Sequence, residues 1–287
     1  MKAVYKRELR SYFENMTGFV ITAGILLFLG IYTVANNLIY GAANFEYALS
    51  GMGLIFLFAA VFLTMGSFST ERRRKTDQLL LTSPASLAGI VTGKYLAMVT
   101  VFAIPFVIMC FYPLILSIYG DVGFKAAYAA IFTLFMLACA ITAIGMFISS
   151  LTENIIISAA VSLGVMLIIY FFEAIAGLLS ASSSASLIAF IILALIIAAV
   201  VYAMTHSVSV SAIVFVVLGA AVAVVYGINS TLFEGLFAKL LSSVALFTRF
   251  DSITSGMFDI TAVILYITTA VLFCFLTKES MEKRRWS

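Results

Sequence analysis

Residues 47–75 read YALSGMGLIFLFAAVFLTMGSFSTERRRK. From Tyr47 to Thr70 nothing carries a charge, and Glu71, Arg72, Arg73, Arg74 and Lys75 follow at once. A hydrocarbon core about 30 Å thick is crossed by roughly 20 helical residues. A charge-free run of that length, closed by a block of cations, has a direct physical reading. It is a helix that crosses a bilayer and stops where its basic residues reach the cytosolic headgroups.

The pattern recurs on both sides of this stretch. Gly18–Ile39, Tyr95–Gly120, Ala126–Thr152, Asn154–Phe172 and Ile260–Thr277 are further uncharged runs. The stretch from Ala174 to Phe233 is also uncharged but too long for one crossing. The serine-rich Ser180–Ser186 and the polar Thr205–Ser211 around His206 divide it, leaving Leu187–Met204 and Ala212–Ile228 as a tight helical hairpin. Across the 287 residues, 64% are hydrophobic and 10% charged, against roughly 25% charged in a soluble domain. Such a chain has no water-soluble core to hide in. The expected fold is all-α: a polytopic membrane protein of about eight transmembrane helices.

An even count puts both termini on one side, and the basic residues say which. Lys2, Lys6, Arg7 and Arg10, then Arg72–Lys75 with Lys94, then Lys278, Lys283, Arg284 and Arg285 all fall on one face; the other keeps only Lys125, Lys239 and Arg249 of the 16 basic residues. Cytosolic loops carry the Lys/Arg excess, so both ends are expected in the cytosol and the chain in the plasma membrane. The net charge of +3 is too small to suggest nucleic-acid binding.

The whole of 1–287 reads as a single transmembrane domain with flanking features. Residues 1–16 form an interfacial amphipathic helix, with Tyr5, Leu9, Tyr12 and Phe13 on one face and Lys2, Lys6 and Arg10 on another. Residues 229–256 are an outer amphipathic segment in which Leu232, Leu236, Leu240 and Val244 recur every four positions. Residues 71–94 are the one long polar segment on the inner face and the natural docking place for a partner. No cleavable signal peptide is expected, because Glu8 and Glu14 interrupt the basic start.

Several chemistries lack the residues they need. A phosphate-binding loop requires Gly-x-x-x-x-Gly-Lys-Ser/Thr, whereas Gly93-Lys94 is followed by Tyr95. His206 is the one histidine, and Cys110, Cys139 and Cys274 lie singly inside apolar runs, so neither a metal centre nor a disulfide framework is expected. An ion-coupled carrier needs an ionisable group within the membrane; Glu46, Asp121, Glu153, Glu173 and Asp259 all fall at or near span ends. The energy source is expected in another chain. The sparse polar side chains in the spans suggest a cargo that is at least partly apolar.

Within the inner segment, Asp77, Gln78, Leu79, Leu80, Leu81, Thr82, Ser83 and Pro84 stand apart. Ser83 is a good N-cap with Pro84 in the first helical position. Four cations after a span need no function beyond topology. A leucine triplet in a cytosolic loop has no topological purpose, and suits a groove on a partner.

The segment from Glu71 to Ala97, including DQLLLTSPASLAGIVTGKYLA, resembles the first cytosolic coupling segment of ABC-transporter permeases of the type-2, exporter class, nearest the gliding-motility-type branch. KRELRSYF (6–13) resembles that branch's N-terminal interfacial helix. GMFISSLTEN (145–154) resembles the end of its fourth span, SITSGMFDI (252–260) the start of its last, and EKRRW (282–286) its tail. The resemblance runs in order over nearly the whole chain.

It implies a permease without catalytic residues or a cofactor of its own, with ATP and magnesium held by a separate ATP-binding subunit. It also implies two permease chains per complex, identical or as a hetero-pair, in a bacterial membrane. Carried over, Glu71 and Asp77–Thr82 belong to the helix that enters the ATPase, and Ser150, Thr152, Glu153 and Asn154 to a smaller second contact. Short members of the family have six spans; the hairpin of residues 187–228 is extra, packing at the periphery or against an accessory membrane protein. A membrane scaffold that recruits an ATPase for mechanical work would carry the same loop, and a stand-alone carrier is the remaining alternative.

Overall fold

The computed structural model describes residues 1–76, 86–178, 182–205, 207–228, 233–254 and 259–286. Among them there are helices and connecting turns and no strand. Lipid offers the backbone no hydrogen-bond partner, so each apolar run must satisfy its own amides, and the helix is the local way to do so. Five helical stretches of 22 to 30 residues are long and apolar enough to cross a membrane: Thr17–Leu38, Met52–Arg73, Leu87–Leu116, Phe124–Leu151 and Ile260–Arg284. Ile155–Tyr170 and two shorter apolar stretches within the hairpin complete the set. They coincide one for one with the runs read from the sequence, and the chain is a multi-pass membrane protein.

Two compact units are present, one formed by Met1–Tyr170 with Leu246–Ser287, the other by Phe171–Ala245. In the first, the interfacial helix α1 (Lys2–Glu14) leads into α2 (Thr17–Thr33), which widens into a π turn at Val34–Leu38. Short α3 (Glu46–Ser50) precedes α4 (Met52–Thr64) and α5 (Ser69–Arg73). Then come α6 (Leu87–Met109), broken by Pro113 into short α7 (Tyr112–Leu116), and α8 (Phe124–Leu151) and α9 (Ile155–Tyr170).

Helix α8 is the hub, packed against α4, α6 and α9. Its buried side is rich in small residues (Ala127, Ala130, Ala138, Gly145, Ser149), which allow helix backbones to approach where no hydrophobic effect drives them together. At Gly145 the approach is closest: a Cβ there would lie 2.2 Å from Thr64 Oγ1.

The second unit holds α10 (Phe172–Leu178), α11 (Ser183–Thr205), α12 (Val208–Ile228) and α13 (Leu236–Val244). Helices α11 and α12 pair along their lengths, with Ser211 Oγ donating to Ala198 O at 2.6 Å. Phe190 meets Phe233 and Phe237 edge-on at 5.7 and 5.1 Å. The first of these two helices begins at Ser183, four residues earlier than the serine-rich break suggests. His206 lies outside the described residues.

The described residues of the outer amphipathic segment form two helices separated at Ala245, which is extended; Gly235, with a left-handed φ of 65°, precedes the first. The second, α14 (Leu246–Thr254), belongs to the first unit and buries Leu246, Phe247 and Phe250, with Tyr266 donating to Leu246 O at 2.7 Å. The last helix, α15 (Ile260–Trp286), packs along α8. Asp259 caps it, accepting from Thr261 N at 2.8 Å and pairing with Arg249 at 3.2 Å.

Within the first unit, Arg7 with Glu71 and Arg284 with Glu153 (2.9 and 2.8 Å) tie α1, α5, the α8–α9 turn and the C-terminal tail together at one end. That end carries the basic clusters, as the topology requires.

Candidate coupling site

Helix α1 turns Val4, Tyr5, Glu8, Leu9 and Tyr12 inward and leaves Lys2, Lys6 and Arg10 in solvent, the division its amphipathic pattern predicts. It crosses α6 at Gly93, where a Cβ would stand 3.2 Å from Met1 O and from Val4 Cβ. Tyr5 and Thr100 share a hydrogen bond at 3.1 Å. A Cβ here would press on the α1 backbone, and the close crossing places Glu8 beside the next residue, Lys94.

Lys94 is 2% exposed. Its Nζ lies 3.0 Å from Glu71 Oε1 and 3.2 Å from Glu8 Oε1, and donates to Ser67 O at 2.9 Å. The Phe68 ring lies beneath it, 5.1 Å away. The ammonium thus makes one hydrogen bond and two ion pairs. Arg7 closes the group from outside, its Nη2 at 2.6 Å from Glu8 and 2.9 Å from Glu71. Two cations thus balance two carboxylates; Lys94 and the carboxylates are largely withdrawn from water, and there removing a single partner strands a charge. Partial burial pulls the Arg7 guanidinium downward, but the hydrogen bond and charge of Glu8, then the charge of Glu71, raise it above its ordinary value. Burial, and then the charges of Glu8 and Glu71, push the Tyr12 hydroxyl upward.

The turn between α4 and α5 is also held from the side of α8. Ser149 Oγ accepts from Phe68 N and Ser69 N at 3.2 and 3.3 Å and donates to Met65 O at 3.0 Å. Arg72 donates to Ser150 O. The backbone entering the inner segment is therefore fixed to α1, α6 and α8 at once. Nothing in this arrangement is set up for bond-breaking chemistry. What it can do is carry displacement: α5 cannot shift without pulling on three other helices.

Of the residues singled out in the sequence, Glu71 lies in this knot, with Oε1 shared by Arg7 and Lys94 and Oε2 buried without a partner. Asp77, Gln78, Leu79, Leu80, Leu81, Thr82, Ser83 and Pro84 lie outside the described residues. The cap seen at the start of α6 is Ser86, which accepts from Gly89 N at 3.2 Å. Because α6 begins at Leu87, Lys94 is two turns inside a helix, although the inner polar segment was read as extending to it. Ser150 is buried. Glu153 and Asn154 are exposed; Glu153 pairs with Arg284, and Asn154 Oδ1 accepts from Ile156 N at 2.9 Å to cap α9.

The residues that sequence reasoning passed over are Lys94, Glu8, Arg7 and Ser149. The available signal was Gly93-Lys94, dismissed as an incomplete phosphate loop, and a glutamate on the buried side of a basic amphipathic helix.

A family model described as "ABC-2 type transporter" matches residues 1–176. No curated protein and no solved structure matches the chain.

Proposed function

The chain belongs to the ABC-2 type transporter family, and we propose that it is the membrane permease of an exporter driven by a separate ATP-binding subunit. In this reading the subunit docks on Asp77–Pro84, with Leu79–Leu81 filling its groove and Thr152–Asn154 supplying a smaller contact beside it. ATP-driven closure moves the docked segment, and α5 passes the motion into the bundle. The chain works in the cell membrane as one of two permease copies, in the gliding-motility-type branch, on a cargo that is at least partly apolar.

The observation that carries this reading is the knot around Lys94. It joins the residues immediately before the docking segment to α1, α6 and α8, which is the rigid connection a transmitted movement needs. A loop serving only topology has no use for a buried lysine held by two carboxylates at its root.

A photo-crosslinking amino acid placed at Leu80 in the full chain, in its native membrane, tests the docking. Capture of an ATP-binding subunit from position 80, and none from Lys125 on the opposite face, is the expected result. Equal capture at both positions, or none at Leu80, would count against it.

A further inference from the structure

Two cavities of the first unit share a wall. The polar one, about 600 Å³, lies against the knot and is lined by Arg7, Glu8, Glu71, Arg74 and Lys94 among others. The apolar one, about 610 Å³, runs between α2 and α4 past Gly24, Phe28, Phe58 and Phe62. Asn15, Thr17, Phe62 and Met65 line both, so the two adjoin, a charged end beside an oily end.

Three features identify the occupant. Three cationic side chains against two carboxylates line the polar end, and Arg74, exposed on its turn, has no ion-pair partner among the described residues. The site therefore favours an anion. The apolar end opens between spans at Val20 and Phe62, 68% and 58% exposed, at the depth of the lipid tails. Its length along α2, Met16 to Phe28, is about 18 Å at about 1.5 Å per residue, roughly one leaflet of a core about 30 Å thick. Nothing stands within 4 Å of a Cβ built on Gly24, so the groove has room at its floor.

We propose that this site holds one anionic phospholipid of the leaflet at the basic end, with its phosphate beside Arg74 and Arg7 and an acyl chain along the Gly24 groove. Its headgroup then lies against the root of the inner segment, where it braces α1 against α5. The proposal needs only the membrane, and stands independently of any ATP-binding subunit.

Native mass spectrometry of the full chain in mild detergent, titrated with phosphatidylglycerol or with zwitterionic phosphatidylethanolamine, tests it. Wild type should retain phosphatidylglycerol in preference. Gly24→Leu, whose Cβ meets nothing within 4 Å and whose side chain occupies the groove, should weaken that retention about tenfold; Gly24→Ala should not. Arg74→Glu, on an exposed turn where folding is not at stake, should erase the headgroup preference. Equal retention of both lipids by wild type would overturn the proposal. So would a Gly24→Leu variant that keeps its lipid but changes from dimer to monomer, since the groove would then be an interface between copies.

Discussion

Lys94 Nζ and Glu71 Oε1 lie 3.0 Å apart at the root of the inner polar segment, one on a spanning helix and the other on the short helix that enters the loop. The lysine is all but sealed from solvent. Burying a charge is tolerable only while its partners remain, and losing one partner of a buried pair costs about 3–5 kcal/mol. Lys94→Met should therefore lower the melting temperature of the detergent-solubilised chain markedly. Adding Glu71→Gln should restore part of the loss, because the stranded carboxylate goes with its cation. A single variant that melts with wild type would show that the cluster is not holding these helices.

Gly145 and Thr64 mark the crossing of α8 and α4. With a Cβ placed 2.2 Å from a threonine oxygen, Gly145→Ala must push the helices apart, at about 1–3 kcal/mol for overpacking. Thr64 Oγ1 donates only to Ala60 O of its own helix, at 2.7 Å, so Thr64→Ala is mild by itself. Combined with Gly145→Ala it should recover much of the lost thermal stability. Strict additivity of the two changes would contradict the close crossing.

At the other end, Asp259 is held below its ordinary carboxylate value, first by its hydrogen bonding to Thr261 and then by the nearby Arg249 charge. A depressed value in the folded state means stability that is present above the unfolded value and lost as pH falls through the folded one. Asp259→Asn keeps a good N-cap but carries no charge. The variant should melt below wild type at neutral pH, and the gap should begin to narrow below about pH 4 and close as pH falls through the depressed folded value. A gap unchanged with acid would assign the effect to shape alone.

The spans could be read from sequence because lipid leaves an apolar run of about 20 residues one option, and the basic face followed from topology. The functional core was harder. Lys94 looks like the last charge of a loop until Gly93 is seen to admit α1, and its partners Glu8 and Glu71 come from distant parts of the chain. Nothing local marks the break at Ala245, which sends Phe247 and Phe250 into the first unit's core while Leu236–Val244 stays with the hairpin. The π turn at Val34–Leu38 is equally silent: Asn37 there donates to Ala42 O and Asn44 O, both at 2.8 Å, a closure no periodicity announces. Asp77–Pro84, by contrast, stood out in the sequence through leucines that topology does not require.

The central claim is that a separate ATP-binding subunit docks on that leucine triplet. The most direct measurement is recovery of such a subunit with the full chain, extracted from its native membrane in mild detergent, for wild type and for Leu80→Asp. The account predicts that wild type brings the subunit down and that Leu80→Asp, correctly inserted and equally abundant, loses it. An ATP-binding subunit retained equally by both, or absent from both while the chain remains folded, would contradict it.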